Sequence, residues 1–206
     1  CSLVLALAVG VVVGTLRTLP LDRPGNRLLA MLGNVWVELF RNVPLLVQIF
    51  LWYFVVPALV PPLKALPGFV MVVLALGLFT SSRIAEQMRS GILALPRGQR
   101  NAALALGMST WQSYRYVLLP MAFRIIVPPL TSESMNIVKN SAVAFAVSIS
   151  ELTMFAMQAQ EETARGTEIY LAVTGLYVLT ALAINRIMAF IERRTRVPGL
   201  IVAGGH

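Results

Sequence analysis

Residues Gln99–Pro120, QRNAALALGMSTWQSYRYVLLP, form a polar, basic, helix-prone stretch enclosed on both sides by apolar sequence. Whatever fold the chain adopts must keep this stretch in water while its flanks leave it. Alanines at 102, 103 and 105 favour a helix and allow another surface to come close, and Gly107 lets the chain reverse at little steric cost. The spacing predicts a short helix, a turn and a second helix. Trp111, Tyr114 and Tyr116, beside Arg115, are residue types concentrated at the energetic centres of interfaces. The segment therefore reads as a docking surface, the competing reading being an amphipathic helix lying on a membrane.

The flanks decide the class. The chain is 57% hydrophobic and only 13% charged, whereas soluble domains carry about a quarter charged residues. It belongs in a bilayer. A net charge of +8 could suggest nucleic acid, but the basic residues alternate with apolar spans instead of clustering on a polar domain, so no nucleic-acid partner is expected. The single cysteine, Cys1, excludes an internal disulfide framework, and the single histidine, His206, ends the chain. No Cys/His metal cluster can form, and no metal site is expected. No basic region precedes the first apolar run, so no cleavable signal is expected.

Taken in order, Leu3–Gly14 is continuously apolar but shorter than the roughly 20 residues a crossing needs. It is expected to be the end of a longer first span, with the preceding residues missing, and Cys1 is read as a truncation point and not as a lipid-modified first residue. Apolar residues at Leu28, Leu29, Leu32, Trp36 and Leu39 have a helical period that continues through Arg41-Asn42-Val43-Pro44 into Leu45–Val60, which predicts one second span. Pro57–Gly68 is a breaker-rich connection. A third span covers Phe69–Leu95, apolar in its first half and carrying Arg83, Glu86 and Arg89 in its second. Met121–Lys139 is a fourth, too polar at Arg124, Glu133 and Asn136 to face lipid all round, with a kink invited by Pro129. Lys139-Asn140-Ser141 interrupts the apolar pattern and predicts a break at membrane depth. Ala142–Ile149 and Met154–Gln160 are too short to span and read as broken or re-entrant helices. Ile169–Ile191 is the last span, ending at Glu192, Arg193, Arg194 and Arg196.

Charge sets the orientation. Arg17, Arg23, Arg27 and Arg41, then Arg83 through Arg124, then Arg186 through Arg196 fall on the side of the polar stretch, leaving Lys64, Lys139 and Arg165 on the other. Glu151, Glu161, Glu162 and Glu168 join these last. The positive-inside rule places Gln99–Pro120 in the cytoplasm.

The order Asn101-Ala102-Ala103, three residues, Gly107, nine residues, Val117-Leu118-Leu119-Pro120 resembles the EAA loop of ATP-binding cassette importer permeases, with Asn101 where that family has Glu. FRNVPLLVQIF resembles the family's F-R-x-T-P-L-L-x-Q-x-F, with Val43 in place of Thr. Ile84-Ala85-Glu86 and Arg89-Ser90-Gly91-Ile92 resemble its A-E-x-x-R-G-G-I, with Arg83 where an aromatic residue is usual. Lys139-Asn140-Ser141 and Ser150-Glu151-Leu152 resemble its K-x-T-S and Glu-Leu segments, and Glu192-Arg193-Arg194 its Glu-Arg-Arg. KNSAVAF, RGTEIYLAVTGLYVL and RVPG look most like the glutamate/aspartate permeases.

This resemblance implies an all-α type I permease, one transmembrane domain over residues 1–206 with a five-span core, a broken or re-entrant segment near the outer side, and a cytoplasmic ATPase-coupling loop at 97–120. It implies a bacterial inner-membrane subunit that works with two cytoplasmic ATPase subunits, a second permease subunit and a periplasmic amino-acid-binding protein, surrounded by membrane lipid. The chain has no G-x-x-x-x-G-K-[ST] phosphate loop, so ATP and Mg would be used by the partner ATPase and no cofactor by this chain. No catalytic residue is expected. The coupling residues it implies are Asn101, Ala102, Ala103, Gly107, Leu119 and Pro120. Candidates for the substrate path are Arg83, Glu86, Glu133, Asn136, Lys139, Asn140, Ser141 and Glu151, and Gln48 and Arg41 are either further polar path residues or an inter-helix amide and a snorkelling end group. For Arg83 the alternatives are a bidentate contact to a substrate carboxylate or an ion pair with Glu86 or Glu133. Permeases for other polar amino acids, a proton-coupled transporter using Glu133, Glu151 and Lys139, and a membrane enzyme are the competing functions.

Overall fold

The computed structural model describes residues 1–195, and these contain helices and no strands. Arg196, Pro198, Gly199 and the tail lie outside the described residues. Helix α1 is Ser2–Leu16, α2 Pro24–Asn42, α3 Leu45–Leu59, α4 Gly68–Leu93, α5 Arg97–Ala105, α6 Thr110–Val147, α7 Leu152–Thr163 and α8 Gly166–Thr195. The 26 residues of α4 and 30 of α8 are each long and apolar enough to cross a membrane. The pairs α2/α3 and α6/α7 carry comparable apolar length but bend by 106° and 53° at their joints. With α1, a shorter apolar helix, these make the five apolar units the sequence predicts.

Helix α4 is the core, packed by α1, α2, α3 and α6. Lipid tails are as apolar as leucine, so helices in a membrane associate through close van der Waals contact between small residues. Gly10 and Gly14 supply that contact: a Cβ on Gly10 would lie 2.7 Å from Ile84 Cβ, and one on Gly14 only 2.5 Å from the Ala85 carbonyl oxygen. The buried hydroxyls on α4 turn inward, Ser81 Oγ donating to Leu78 O at 2.6 Å and Ser82 Oγ to Phe79 O at 2.7 Å. Two apolar clusters result. Ile84, Met88, Tyr114, Leu118 and Ile126 fill one end, and Ile49, Val72, Leu76 and Val147 the other.

Three expectations change. The second span is not one continuous helix, because Val43 before Pro44 is held extended (φ −95°, ψ 130°), the conformation that a following proline imposes. Gln48, 2% exposed, stabilises the bend by donating from Nε2 to Phe40 O at 2.8 Å and Val43 O at 2.9 Å. Its amide nitrogen caps the joint of one bent unit, while its Oε1 is buried with no hydrogen-bond partner among the described residues. Pro120, expected to close the docking segment, instead lies inside α6. A π-helical turn at Tyr114–Leu118 precedes it, as another at Leu51–Val55 precedes Pro57. A proline crowds the carbonyl four residues back, at Tyr116 and Tyr53 respectively, and a widened turn relieves that crowding. The predicted break at Lys139-Asn140-Ser141 is also absent, since regular helix runs to Ser141 and tightens to a 3₁₀ turn at Ala142–Val147. The interruption falls at Ser148, which is left-handed (φ 55°).

Candidate functional site

The polar stretch folds as expected, into α5, a turn and the start of α6. Helix α5 ends in a Schellman motif, with Met108 N–H donating to Ala103 O and Gly107 N–H to Leu104 O. Gly107 has φ +78°, a conformation a glycine adopts without Cβ strain. Ser109 then opens α6 with a capping box: its Oγ accepts from Gln112 N–H at 3.2 Å and its own N–H donates to Gln112 Oε1 at 2.8 Å.

Exposure divides the coupling residues. Asn101, Ala102, Gly107 and Pro120 are exposed, as are Leu106, Trp111 and Tyr116. Ala103 is buried, Leu119 is half-buried against the core, and Tyr114 is buried with its hydroxyl donating to Thr18 O. Ala103 and Tyr114 therefore secure the loop to its own chain, contrary to their reading as partner contacts. Residue type alone gives a tyrosine no direction; helical phase relative to Leu118 does.

Within the helix bundle, Arg83 grips Glu133 with its fork, Nε to Oε2 at 2.8 Å and Nη2 to Oε1 at 3.0 Å. Gln87 Nε2 also donates to Glu133 Oε1 at 3.2 Å. Glu133's side chain is 5% exposed but Arg83's is 43% exposed, so the pair presents a guanidinium outward over a buried carboxylate. Asn136 and Asn140, at i+3 and i+7 from Glu133, continue that face of α6 as half-buried amides. Glu86 belongs to another cluster: Arg17 Nη1 donates to its Oε2 at 2.7 Å and Arg89 Nη2 to its Oε1 at 3.0 Å. Arg17 Nε also donates to Asn34 Oδ1 at 2.7 Å, tying α1 to α2 and α4.

The remaining candidates do not converge on Arg83. Lys139 borders a separate apolar groove between α6 and α8, with Tyr177 and Ala181. Ser141 Oγ donates to Val138 O at 2.7 Å, within its own helix. Glu151 caps α7, accepting from Thr153 N–H at 2.9 Å and Met154 N–H at 2.7 Å, and its Oε2 also accepts from Tyr177 at 3.2 Å. Gln87 and Arg17 were missed by sequence reasoning. Gln87, one turn after Arg83 on the same helix, was open to the i, i+4 rule, whereas Arg17 meets Glu86 only through tertiary packing.

Residues 6–197 match the family model described as binding-protein-dependent transport system inner membrane component. The chain is 46% identical over 209 residues to the glutamate/aspartate import permease protein GltJ of Escherichia coli (strain K12), covering 97% of this chain and 83% of that one. It is 32% identical over 198 residues to the glutamine transport system permease protein GlnP of the same organism, covering 94% and 88%. Among solved structures it is similar to an amino acid ABC transporter with histidines, with TM-score 0.75, 30% identity and coverage of 94% and 88%. The inward-facing MetNI methionine ABC transporter shares the fold, with TM-score 0.80 at 23% identity over 95% and 90%.

Proposed function

The chain belongs to the family of binding-protein-dependent transport system inner membrane components, and from that premise we propose that it is the permease of an importer for glutamate and aspartate in a bacterial inner membrane. The family is a transport component and not an enzyme, and ATP hydrolysis is the work of a separate subunit. The observation that carries the substrate assignment is the 46% identity to a glutamate/aspartate permease over nearly the whole chain, against 32% to a glutamine permease.

On this reading a periplasmic binding protein delivers the amino acid, this chain and a second permease subunit form the path, and two cytoplasmic ATPase subunits using ATP and Mg drive it. The exposed face at Asn101, Ala102 and Gly107, with Trp111 beside it, docks an ATPase subunit, and the chain itself binds no cofactor. Arg83 supplies the contact to the substrate's side-chain carboxylate. Its outward exposure and fork geometry support this, and Glu133 is the internal carboxylate with which the substrate competes. Asn136 and Asn140 extend the same face. Glu86, Ser141 and Glu151, engaged elsewhere, have positioning roles, and Lys139 borders a separate groove.

The test is uptake into proteoliposomes holding the assembled importer, with glutamate, aspartate and glutamine offered separately, with ATP, and with a proton gradient alone. ATP-dependent uptake of the two acids but not glutamine is expected. Uptake driven by the gradient alone, or preference for glutamine, refutes the assignment. Arg83→Lys keeps the charge but loses the fork and should raise the apparent KM for both acids about tenfold or more, the cost of roughly one charge-assisted hydrogen bond.

A further inference from the structure

A basic cavity lies under the coupling helix. A cleft of about 460 Å³ separates α5 from the ends of α1 and α4 and the start of α6, and Arg97, Arg100, Asn101, Thr18 and Tyr114 border it. No carboxylate lines it, and the three ion pairs among the described residues involve other arginines. Arg97, Arg100 and Asn101 thus border a cleft whose lining holds no balancing negative charge. Arg97, Arg100 and Asn101 stand at i, i+3 and i+4, one face of α5. Arg100, half-buried, lies deepest along the cleft, while Arg97 and Asn101 border it from its exposed edge and Ala102 and Leu106 are exposed beyond it.

Depth identifies the anion. Helix α4 has 26 residues, about 39 Å at 1.5 Å per residue, which consumes nearly the whole bilayer with its headgroups, about 40–45 Å. Arg97 begins only a short turn later and so stands at headgroup level. The same cleft has an apolar floor at Ile92, Leu95 and Leu118, and Leu93 on its rim is 61% exposed. A phosphate carrying acyl chains matches both halves of this lining, whereas a free, fully hydrated anion matches only the basic half. We propose that this cleft binds the phosphate of an anionic phospholipid of the adjoining leaflet, so that a lipid is wedged between the coupling helix and the membrane helices. The inference needs only that α4 spans the membrane and does not depend on which amino acid is carried.

The probe is phosphatidylglycerol, titrated as a fluorescent analogue into the detergent-purified full chain, and then into the chain assembled with its ATPase. Basic groups near an anionic surface contribute about 1 kcal/mol each, so R97Q/R100Q should weaken binding about thirtyfold. R97K/R100K keeps both charges and should retain most of it, and R165Q, in the α7–α8 connection, should match the unmodified chain. Phosphatidylcholine should bind weakly. Equal phosphatidylglycerol binding by the R97Q/R100Q chain overturns the proposal. So does inorganic phosphate displacing the probe at millimolar concentration, which would identify a free-anion site. Loss of the lipid on assembly with the ATPase overturns it as well, because the two arginines would then belong to the protein interface.

Discussion

Arg83 and Glu133 are unequal partners, and the inequality gives a stability prediction independent of transport. Glu133's side chain is 5% exposed and Arg83's 43%. Arg83→Gln leaves a buried carboxylate whose remaining hydrogen-bond donor is Gln87 Nε2 at 3.2 Å. Breaking a buried pair in this way costs about 3–5 kcal/mol, and the surviving Gln87 contact puts the expected loss near the lower end, about 3 kcal/mol. Glu133→Gln leaves a guanidinium that is 43% exposed and, on the substrate path proposed above, open to hydration, so the loss should resemble that of an exposed pair, about 1 kcal/mol or less. The difference of about 2 kcal/mol is roughly thirtyfold in the unfolding equilibrium. Reversible unfolding by sodium dodecyl sulfate titration in mixed micelles, followed by tryptophan fluorescence and circular dichroism, measures both variants on the same chain. Equal losses, or a greater loss for Glu133→Gln, would refute the claim that burial of the carboxylate dominates this pair.

Three further outcomes follow from the packing. Gly14→Val places a Cβ 2.5 Å from the Ala85 carbonyl oxygen and 2.7 Å from Met88 Cβ, so α1 must move off α4 at a cost of about 1–3 kcal/mol in the same titration; Gly25→Ala, with nothing within 4 Å, should change nothing measurable. Ala102→Asp should abolish ATP-driven uptake and ATPase co-purification while unfolding normally, whereas Ala103→Asp buries a charge and should lower stability first; normal uptake by Ala102→Asp would remove the docking role from that face. Gln48→Leu frees the Phe40 and Val43 carbonyls but also removes a buried, unpartnered Oε1, so the loss should stay below roughly 2 kcal/mol at about 1 kcal/mol per hydrogen bond, and it should accelerate hydrogen exchange in residues 40–48 relative to α4; unchanged exchange there would mean that Pro44 alone holds the bend.

The sequence by itself determined the solvent, the number of apolar units, the helix–turn–helix at 97–120 and the family. Each is written in local terms: apolar runs sized to a bilayer, small residues and a glycine at turn spacing, and breakers between spans. The spacing of Asn101, Gly107 and Leu119-Pro120 survives in the structure because the Gly107 turn is fixed by backbone conformation within a few residues. Direction was not legible. Arg83 had two acidic partners within reach, and only the packing of α6 on α4 gave it Glu133 while Arg17, arriving on α1, took Glu86. Ala103 and Tyr114 turned inward for the same reason, since the interior side of a short helix is set by what packs on it and not by its own composition. The second span bent because Pro44 restricts Val43 and Gln48 is positioned to satisfy the carbonyls released there. A hydrophobic period records which residues avoid water, but it is insensitive to a single extended residue between two helices. The tertiary structure decided the partners, because a charged side chain inside a membrane pairs with whichever group the neighbouring helices bring within hydrogen-bonding distance.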